Sequence, residues 1–135
     1  MGHIRTAKKK LKEVEFDAFA VSGNSGTLMG GAMSAAMKKK MILVRKPSDN
    51  SHSSYTVEGD ESILRFVFLD DQIATGATRT RVVTTVKAWL PKVEFVGTYL
   101  YNKSGCFGYD PDYVKPKKKR PAVKKLVKSR AKIKA

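Results

Sequence analysis

The amino-acid sequence predicts an α/β protein built as a three-layer, open, mainly parallel sheet, followed by a basic C-terminal tail. Short, continuous apolar runs recur along the chain, the mark of strands buried on both faces. Segments of helical periodicity alternate with them, as parallel crossovers require. The strand ends run into polar, glycine-containing turns. At 135 residues and 41 % hydrophobic content, the chain has room for one globular domain with a real core, and too little for two.

The elements follow in order. "HIRTAKKKLKEV" (3–14) reads as a basic helix with Ile4, Ala7 and Leu11 on one face. "FDAFAVSG" (16–23) is a strand ending in glycine. "NSGTLMGGAMSAAMKKK" offers Asn24, Ser25 and Thr27 as caps for a helix over roughly 27–39. Its Met29, Met33 and Met37 form a stripe expected to pack on a sheet, and Gly30 and Gly31 imply close packing or a functional need near its start. "KMILVRK" (40–46) is the second strand, and 47–62 a polar, turn-rich loop with a short extended piece at 54–58. "RFVFLDD" (65–71) is a third strand, "TRTRVVTTVKAWL" (78–90) a helix ended by Pro91, and "KVEFVGTYLY" (92–101) a fourth strand. Residues 102–116 read as a loop with room for one edge segment. Trp89 is expected to pack, and Cys106, with no histidine near it in sequence, to be inert.

The charge is unevenly placed. Of a net +15, eleven Lys or Arg lie from Lys115 onward with no acid among them; the residues before carry sixteen basic against twelve acidic side chains. The domain is therefore expected over 1–114 and the tail over 115–135. Val123, Leu126 and Val127 fall on one helical face of the tail, which could dock on a subunit, lie on RNA or DNA, or rest on an anionic membrane. A purely solvated tail is the plain alternative. The single cysteine fits a reducing compartment, and neither a signal-peptide core nor an apolar run of about 18 residues is present. A cytoplasmic location without a membrane span is the expectation.

In an open parallel sheet, ligands sit beyond the carboxyl ends of the strands. Three polar segments follow strand ends here: "SGNSG" (22–26), "RKPSDN" (45–50) and "DDQIATGAT" (70–78). The last combines a tight glycine turn with a helix N-terminus, which together supply convergent N–H donors for a phosphate. Thr75 and Thr78 add hydroxyls. Asp70 and Asp71 are poor phosphate ligands, but suit sugar hydroxyls and a hydrated divalent cation. Alone, such a pair would be a strand-end turn and Thr78 a helix cap. The whole string points to a phosphorylated sugar bound with magnesium.

Residues 66–78 resemble the phosphoribosyl-pyrophosphate (PRPP) motif of type I phosphoribosyltransferases, with Gln72 where that pattern is usually apolar. The resemblance covers roughly residues 16–101 and is closest to the adenine phosphoribosyltransferase family, through "GNSG" (23–26), "LVRK" (43–46) and "SYTVEG" (54–59) in the right order. It implies that Asp70 and Asp71 hold the ribose hydroxyls and, directly or through water, Mg²⁺. Ala74, Thr75, Gly76, Ala77 and Thr78 would cradle the 5′-phosphate. Asn24, Ser25 and Gly26, with Arg45 and Lys46, would bind pyrophosphate, and Glu58 would be the catalytic proton donor or acceptor near the base.

The sequence departs from that pattern in places. Ser25 stands where an arginine is expected, the loop after Lys46 lacks the usual Gly-Lys, and little chain precedes the first strand to form a base-recognising hood. Ala74 takes the place of the aspartate of 6-oxopurine enzymes, which disfavours hypoxanthine and guanine. His52, among serines, either contacts pyrophosphate or is a solvated loop residue.

The resemblance thus implies a phosphoribosyltransferase, a glycosyltransferase of nucleotide salvage, that transfers ribose phosphate from PRPP to a nucleobase, adenine-like purines favoured, and releases pyrophosphate. A homodimer is implied as well. The alternative is a non-catalytic PRPP- or nucleotide-binding regulator whose tail binds nucleic acid. A structural nucleic-acid binder that has lost the ligand is disfavoured by the intact 70–78 loop.

Overall fold

The computed structural model describes residues 2–45, 56–71, 76–102 and 105–115, with backbone alone at 24 and 25. Its elements are α1 (Gly2–Lys10), β1 (Ala18–Val21), α2 (Gly23–Met37), β2 (Lys40–Arg45), β3 (Thr56–Glu58), β4 (Arg65–Asp70), α3 (Ala77–Trp89), β5 (Glu94–Leu100) and β6 (Cys106–Tyr109). They form one six-stranded sheet in the order β3-β2-β1-β4-β5-β6. The four inner strands β2, β1, β4 and β5 run parallel, and the edges β3 and β6 are antiparallel hairpin partners of β2 and β5. The extended piece expected at 54–58 is β3 in its described part, and the edge segment expected within 102–116 is β6.

The pleat divides each strand between two cores, since successive side chains point to opposite faces. On one face Phe19, Val21, Val67, Leu69, Val96 and Tyr99 meet α1 and α2 through Ala7, Leu11 and Met33. On the other, Ala18, Ala20, Ile42, Val44, Phe66, Phe68 and Phe95 meet α3 through Val82 and Val86, with Trp89 packed alongside. The predicted methionine stripe is confirmed as packing: Met33 is fully buried, and Met29 and Met37 lean on the same core. The face predicted for the first helix, Ile4, Ala7 and Leu11, is also the one that packs.

Asp17 ties the start of β1 to the start of β4. Its carboxylate accepts from the backbone N–H of both Leu64 and Arg65, each at 2.9 Å. Nearby, Lys39 Nζ donates to the Phe16 carbonyl at 2.7 Å and lies 4.3 Å above that residue's ring. Burial pushes the Lys39 ammonium below its usual pKa, with Asp17 opposing the shift. The ammonium gives up water there and is compensated by a carbonyl and an aromatic face.

Two departures from expectation lie at α2. It begins at Gly23, not near 27, and its cap position is Ser22, whose side chain makes no capping hydrogen bond. Thr27 is no cap either; its Oγ1 donates back to the Gly23 carbonyl at 2.6 Å. The tail beyond Lys115, His52 and the loop residues 47–55 lie outside the described residues. Among the described helices, none is long and apolar enough to cross a membrane.

The paired glycines of α2 have opposite environments. A Cβ at Gly30 would sit 2.7 Å from Val21 Cγ1 and 3.3 Å from Met41 Sδ, whereas one at Gly31 would meet nothing within 4 Å. Gly30→Ala is therefore expected to cost about 1–3 kcal/mol through overpacking. Gly31→Ala should stabilise by about 0.5–1 kcal/mol through helix propensity. Urea denaturation of the two variants checks the opposite signs.

Candidate active site

β1 and β4 are adjacent and parallel, but their outgoing helices leave on opposite faces: α2 on the first, α3 on the second. That divergence opens a crevice at the carboxyl ends of the two strands, the place where open α/β sheets bind ligands. β1 delivers Ser22 and the first turn of α2 to it, and β4 delivers Asp70 and Asp71, one strand spacing away, about 4.8 Å. The approach is close. A Cβ on Gly26 would lie 3.7 Å from both the Leu69 carbonyl oxygen and Val21 Cβ.

Asp70 and Asp71 are half-buried at the strand end. Asp70 Oδ1 accepts the Asp71 backbone N–H at 2.9 Å. The Asp70 and Asp71 carbonyls accept from Tyr101 and Asn102 at 3.0 and 3.2 Å, so the pair is held to the end of β5. Among the described residues no group of three His, Cys, Asp or Glu gathers as a metal cage. Two adjacent carboxylates without a third fit a hydrated Mg²⁺ shared with ligand oxygens, the usual mode for that ion.

At the opposite wall, Gly76 occupies the cap position of α3 with φ 86°, the left-handed region that favours glycine. Its carbonyl accepts from Thr80 N at 3.0 Å. Ala77 and Thr78 form the first turn of α3, which contains no acid, so no carboxylate of that turn opposes an anion at the positive end of the helix. Of the five residues expected to cradle a phosphate, Gly76, Ala77 and Thr78 are thus placed at the crevice, whereas Ala74 and Thr75 lie outside the described residues.

The expected pyrophosphate residues divide similarly. Asn24, Ser25 and Gly26 belong to the first turn of α2 rather than to a separate loop. Helical N–H groups would present themselves there in place of loop donors. Arg45, at the end of β2, is engaged: its Nε donates to Glu58 Oε2 at 3.0 Å across the β2–β3 hairpin, and both side chains are exposed. Lys46 lies outside the described residues. Glu58 sits on the edge strand, three strand spacings from β4, about 14 Å. The fold joins Glu58 to Arg45 and does not bring it beside the aspartates.

Ser22 belongs to the 22–26 segment that the sequence brings to the crevice, but the sequence reading gave it no role of its own. It is buried at the crevice floor, and its Oγ has no hydrogen-bond partner among the described residues. A buried hydroxyl without a partner costs about 1–3 kcal/mol, and this one stands at a helix N-terminus where an anion would supply the acceptor. The cue was present as a serine at the strand–helix junction, a standard capping position. On β5, the Tyr99 hydroxyl is also buried without a hydrogen-bond partner among the described residues, and burial pushes its pKa up.

Ser22→Ala is expected to leave the fold as stable or up to about 1 kcal/mol more stable. It should weaken binding of inorganic pyrophosphate several-fold. Thermal melting and isothermal titration measure the two effects on the same variant.

No family model matches the chain. Among curated proteins it is 29 % identical over 109 residues to the adenine phosphoribosyltransferase of Mycoplasma capricolum subsp. capricolum, covering 70 % of this chain and 63 % of that protein. It is 32 % identical over 85 residues to the adenine phosphoribosyltransferase of Thermosipho africanus, covering 52 % and 50 %. The chain therefore spans about half to two-thirds of these relatives' length. Among solved structures, orotate phosphoribosyltransferase from Aeropyrum pernix superposes with a TM-score of 0.57 at 13 % identity, over 71 % of this chain and 54 % of that one. Adenine phosphoribosyltransferase from Rhodothermus marinus gives 0.54 at 21 % identity, over 71 % and 62 %. The chain thus has the fold of the type I phosphoribosyltransferases, and in sequence it resembles the adenine phosphoribosyltransferases among them.

Proposed function

We propose that the chain is a phosphoribosyltransferase that uses PRPP and Mg²⁺ to ribophosphorylate a nucleobase, an adenine-like purine favoured, with release of pyrophosphate. The observation that carries this reading is the crevice between β1 and β4. There an aspartate pair lies between two helix N-termini, an order that would suit ribose hydroxyls between the two phosphate ends of PRPP.

The roles follow from chemistry. Asp70 and Asp71 accept hydrogen bonds from the two ribose hydroxyls and fix the ring. The α3 N-terminus with Gly76, Ala77 and Thr78 anchors the 5′-phosphate. The first turn of α2, with Ser22, receives the pyrophosphate. A base nitrogen forms the new bond to the anomeric carbon as the bond to pyrophosphate breaks, and the leaving group departs with the electron pair. Mg²⁺ held through Asp70 and Asp71 would screen the polyanion's charge. A ligand laid across the strand ends from β4 to β2 reaches Arg45 and Glu58, where Glu58 would exchange a proton with the base once Arg45 turns to pyrophosphate.

One observation favours the non-catalytic reading. Arg45 is paired with Glu58, and Ser25 supplies no cation at the leaving-group turn. A protein that binds PRPP without turnover needs neither group freed.

A homodimer is proposed too, on the outer face of α2. That helix carries no charged side chain in fifteen residues, and Leu28, 77 % exposed, lines up with exposed Gly31, Ala32 and Ala35. In a chain of net charge +15, a second copy meets least repulsion there. Light scattering is expected to give twice the chain mass, and Leu28→Glu to give the monomer.

Pyrophosphate release should be measured with PRPP, Mg²⁺ and a panel of bases against a no-base control. Release with adenine, abolished in Asp70→Asn/Asp71→Asn while the melting temperature holds, is the expected result. Silence with every base, but PRPP binding that those substitutions abolish, would establish the regulator instead.

A further inference from the structure

The outer face of α1 has no use in the reading above. Arg5, Lys8 and Lys9 on α1, and Lys12 in the turn just after it, are all exposed. Among the described residues the ion pairs are Lys40–Asp60, Arg45–Glu58 and Arg65–Glu94, and none reaches these cations. The helix itself contains no acid. Four cations this close together repel one another, and the exposed Glu13 beside Lys12 offsets them only in part, so the excess positive charge favours an external anion.

What lies beside these cations narrows the kind of anion. The buried side of α1 packs through Ala7 and Leu11 into the cluster that also holds Phe107 and Tyr113. Thr6 Cγ2 would be 2.9 Å from a Cβ at Gly105, just before β6. The helix therefore lies along the β6 edge. Phe107 and Tyr109, two residues apart, point to the same side, with ring centroids 5.0 Å apart. The Tyr113 ring is parallel to Tyr109 within 4° at 6.0 Å. Lys115 Nζ stands 4.9 Å from the centre of the Tyr109 ring. Tyr109 keeps 39 % of its surface exposed.

We infer that α1 and the β6 edge form a binding face for single-stranded nucleic acid, with the α1 cations on the phosphates and the Tyr109–Tyr113 pair as a platform for bases. Phosphate contacts give affinity and salt dependence. Exposed aromatics beside a basic track are the feature that separates single strands, whose bases are free to stack, from duplexes and lipid headgroups. The face is distinct from the crevice: Tyr109 pairs with Gly97, whereas Asp70 pairs with Leu100 at the other end of β5. In sequence, eleven cations follow from Lys115 onward.

The test uses the full chain and fluorescein-labelled oligo(dT) and oligo(rU), with anisotropy followed across about 50–200 mM salt. The quadruple variant Arg5→Gln/Lys8→Gln/Lys9→Gln/Lys12→Gln should lower the slope of log affinity against log salt by about three, at about 0.7 per phosphate contact. Lys8→Arg/Lys9→Arg/Lys12→Arg should keep the slope, which separates lost charge from lost fold. Tyr109→Ala should weaken single-strand binding several-fold and leave binding of a duplex of equal length unchanged. A slope unmoved by the quadruple variant overturns the inference. So does a duplex that binds as tightly as the single strand, and so does binding to phosphatidylserine vesicles in place of the oligonucleotides. PRPP binding by the quadruple variant should equal that of the parent chain.

Discussion

The structure depends on β1 being central and parallel to both of its neighbours. Ala18, Phe19, Ala20 and Val21 are wholly buried, with β2 on one side and β4 on the other. A strand of four residues cannot hold such a position through its own ladder alone. It is fixed by two apolar faces at once, small alanines toward α3 and Phe19 and Val21 toward α2. The Asp17 carboxylate locks its start to β4. Because the chain leaves β1 and β4 on opposite faces, the crevice is a consequence of topology, and loop sequence only furnishes it.

That furnishing runs against stability. Two adjacent carboxylates at a half-buried strand end repel, the Ser22 hydroxyl is buried without a partner among the described residues, and the glycine cap of α3 sits in the left-handed region. The first two features oppose folding locally, whereas the left-handed cap costs a glycine little; under the proposed function a ligand carrying hydroxyls between two anionic ends would offset them. Such local inconsistencies are expected where function opposes folding. Elsewhere the packing is regular, with Met33 filling the core and Gly30 permitting α2 to approach Val21.

The sheet was legible because parallel strands buried on both faces read as unbroken apolar runs, as "KMILVR" and "RFVFLD" do. The order of the strands that end at the crevice was legible from the polar turns that follow them. The start of α2 was not. Gly23 and Gly26 argue against a helix by propensity, and burial of Gly26 against Leu69 and Val21 overrides that preference. Ser22 was hidden for the same reason, since its role depends on where the helix begins. The Arg45–Glu58 pair joins residues thirteen apart in sequence and becomes visible only when β3 folds back on β2.

Charge is segregated by face as clearly as apolarity is segregated by layer. α2 presents an uncharged surface, α1 a cluster of cations, and the crevice its aspartate pair. In a chain of net charge +15 this separation has a consequence for the crevice itself. The long-range field draws any polyanion toward the protein, so the crevice needs a means of choosing among them. Under the proposed function Asp70 and Asp71 would supply it: they would repel a bare phosphate and accept one whose sugar hydroxyls or bound cation meet the carboxylates. On that proposal, the two aspartates that looked misplaced in a basic chain are what would make it selective.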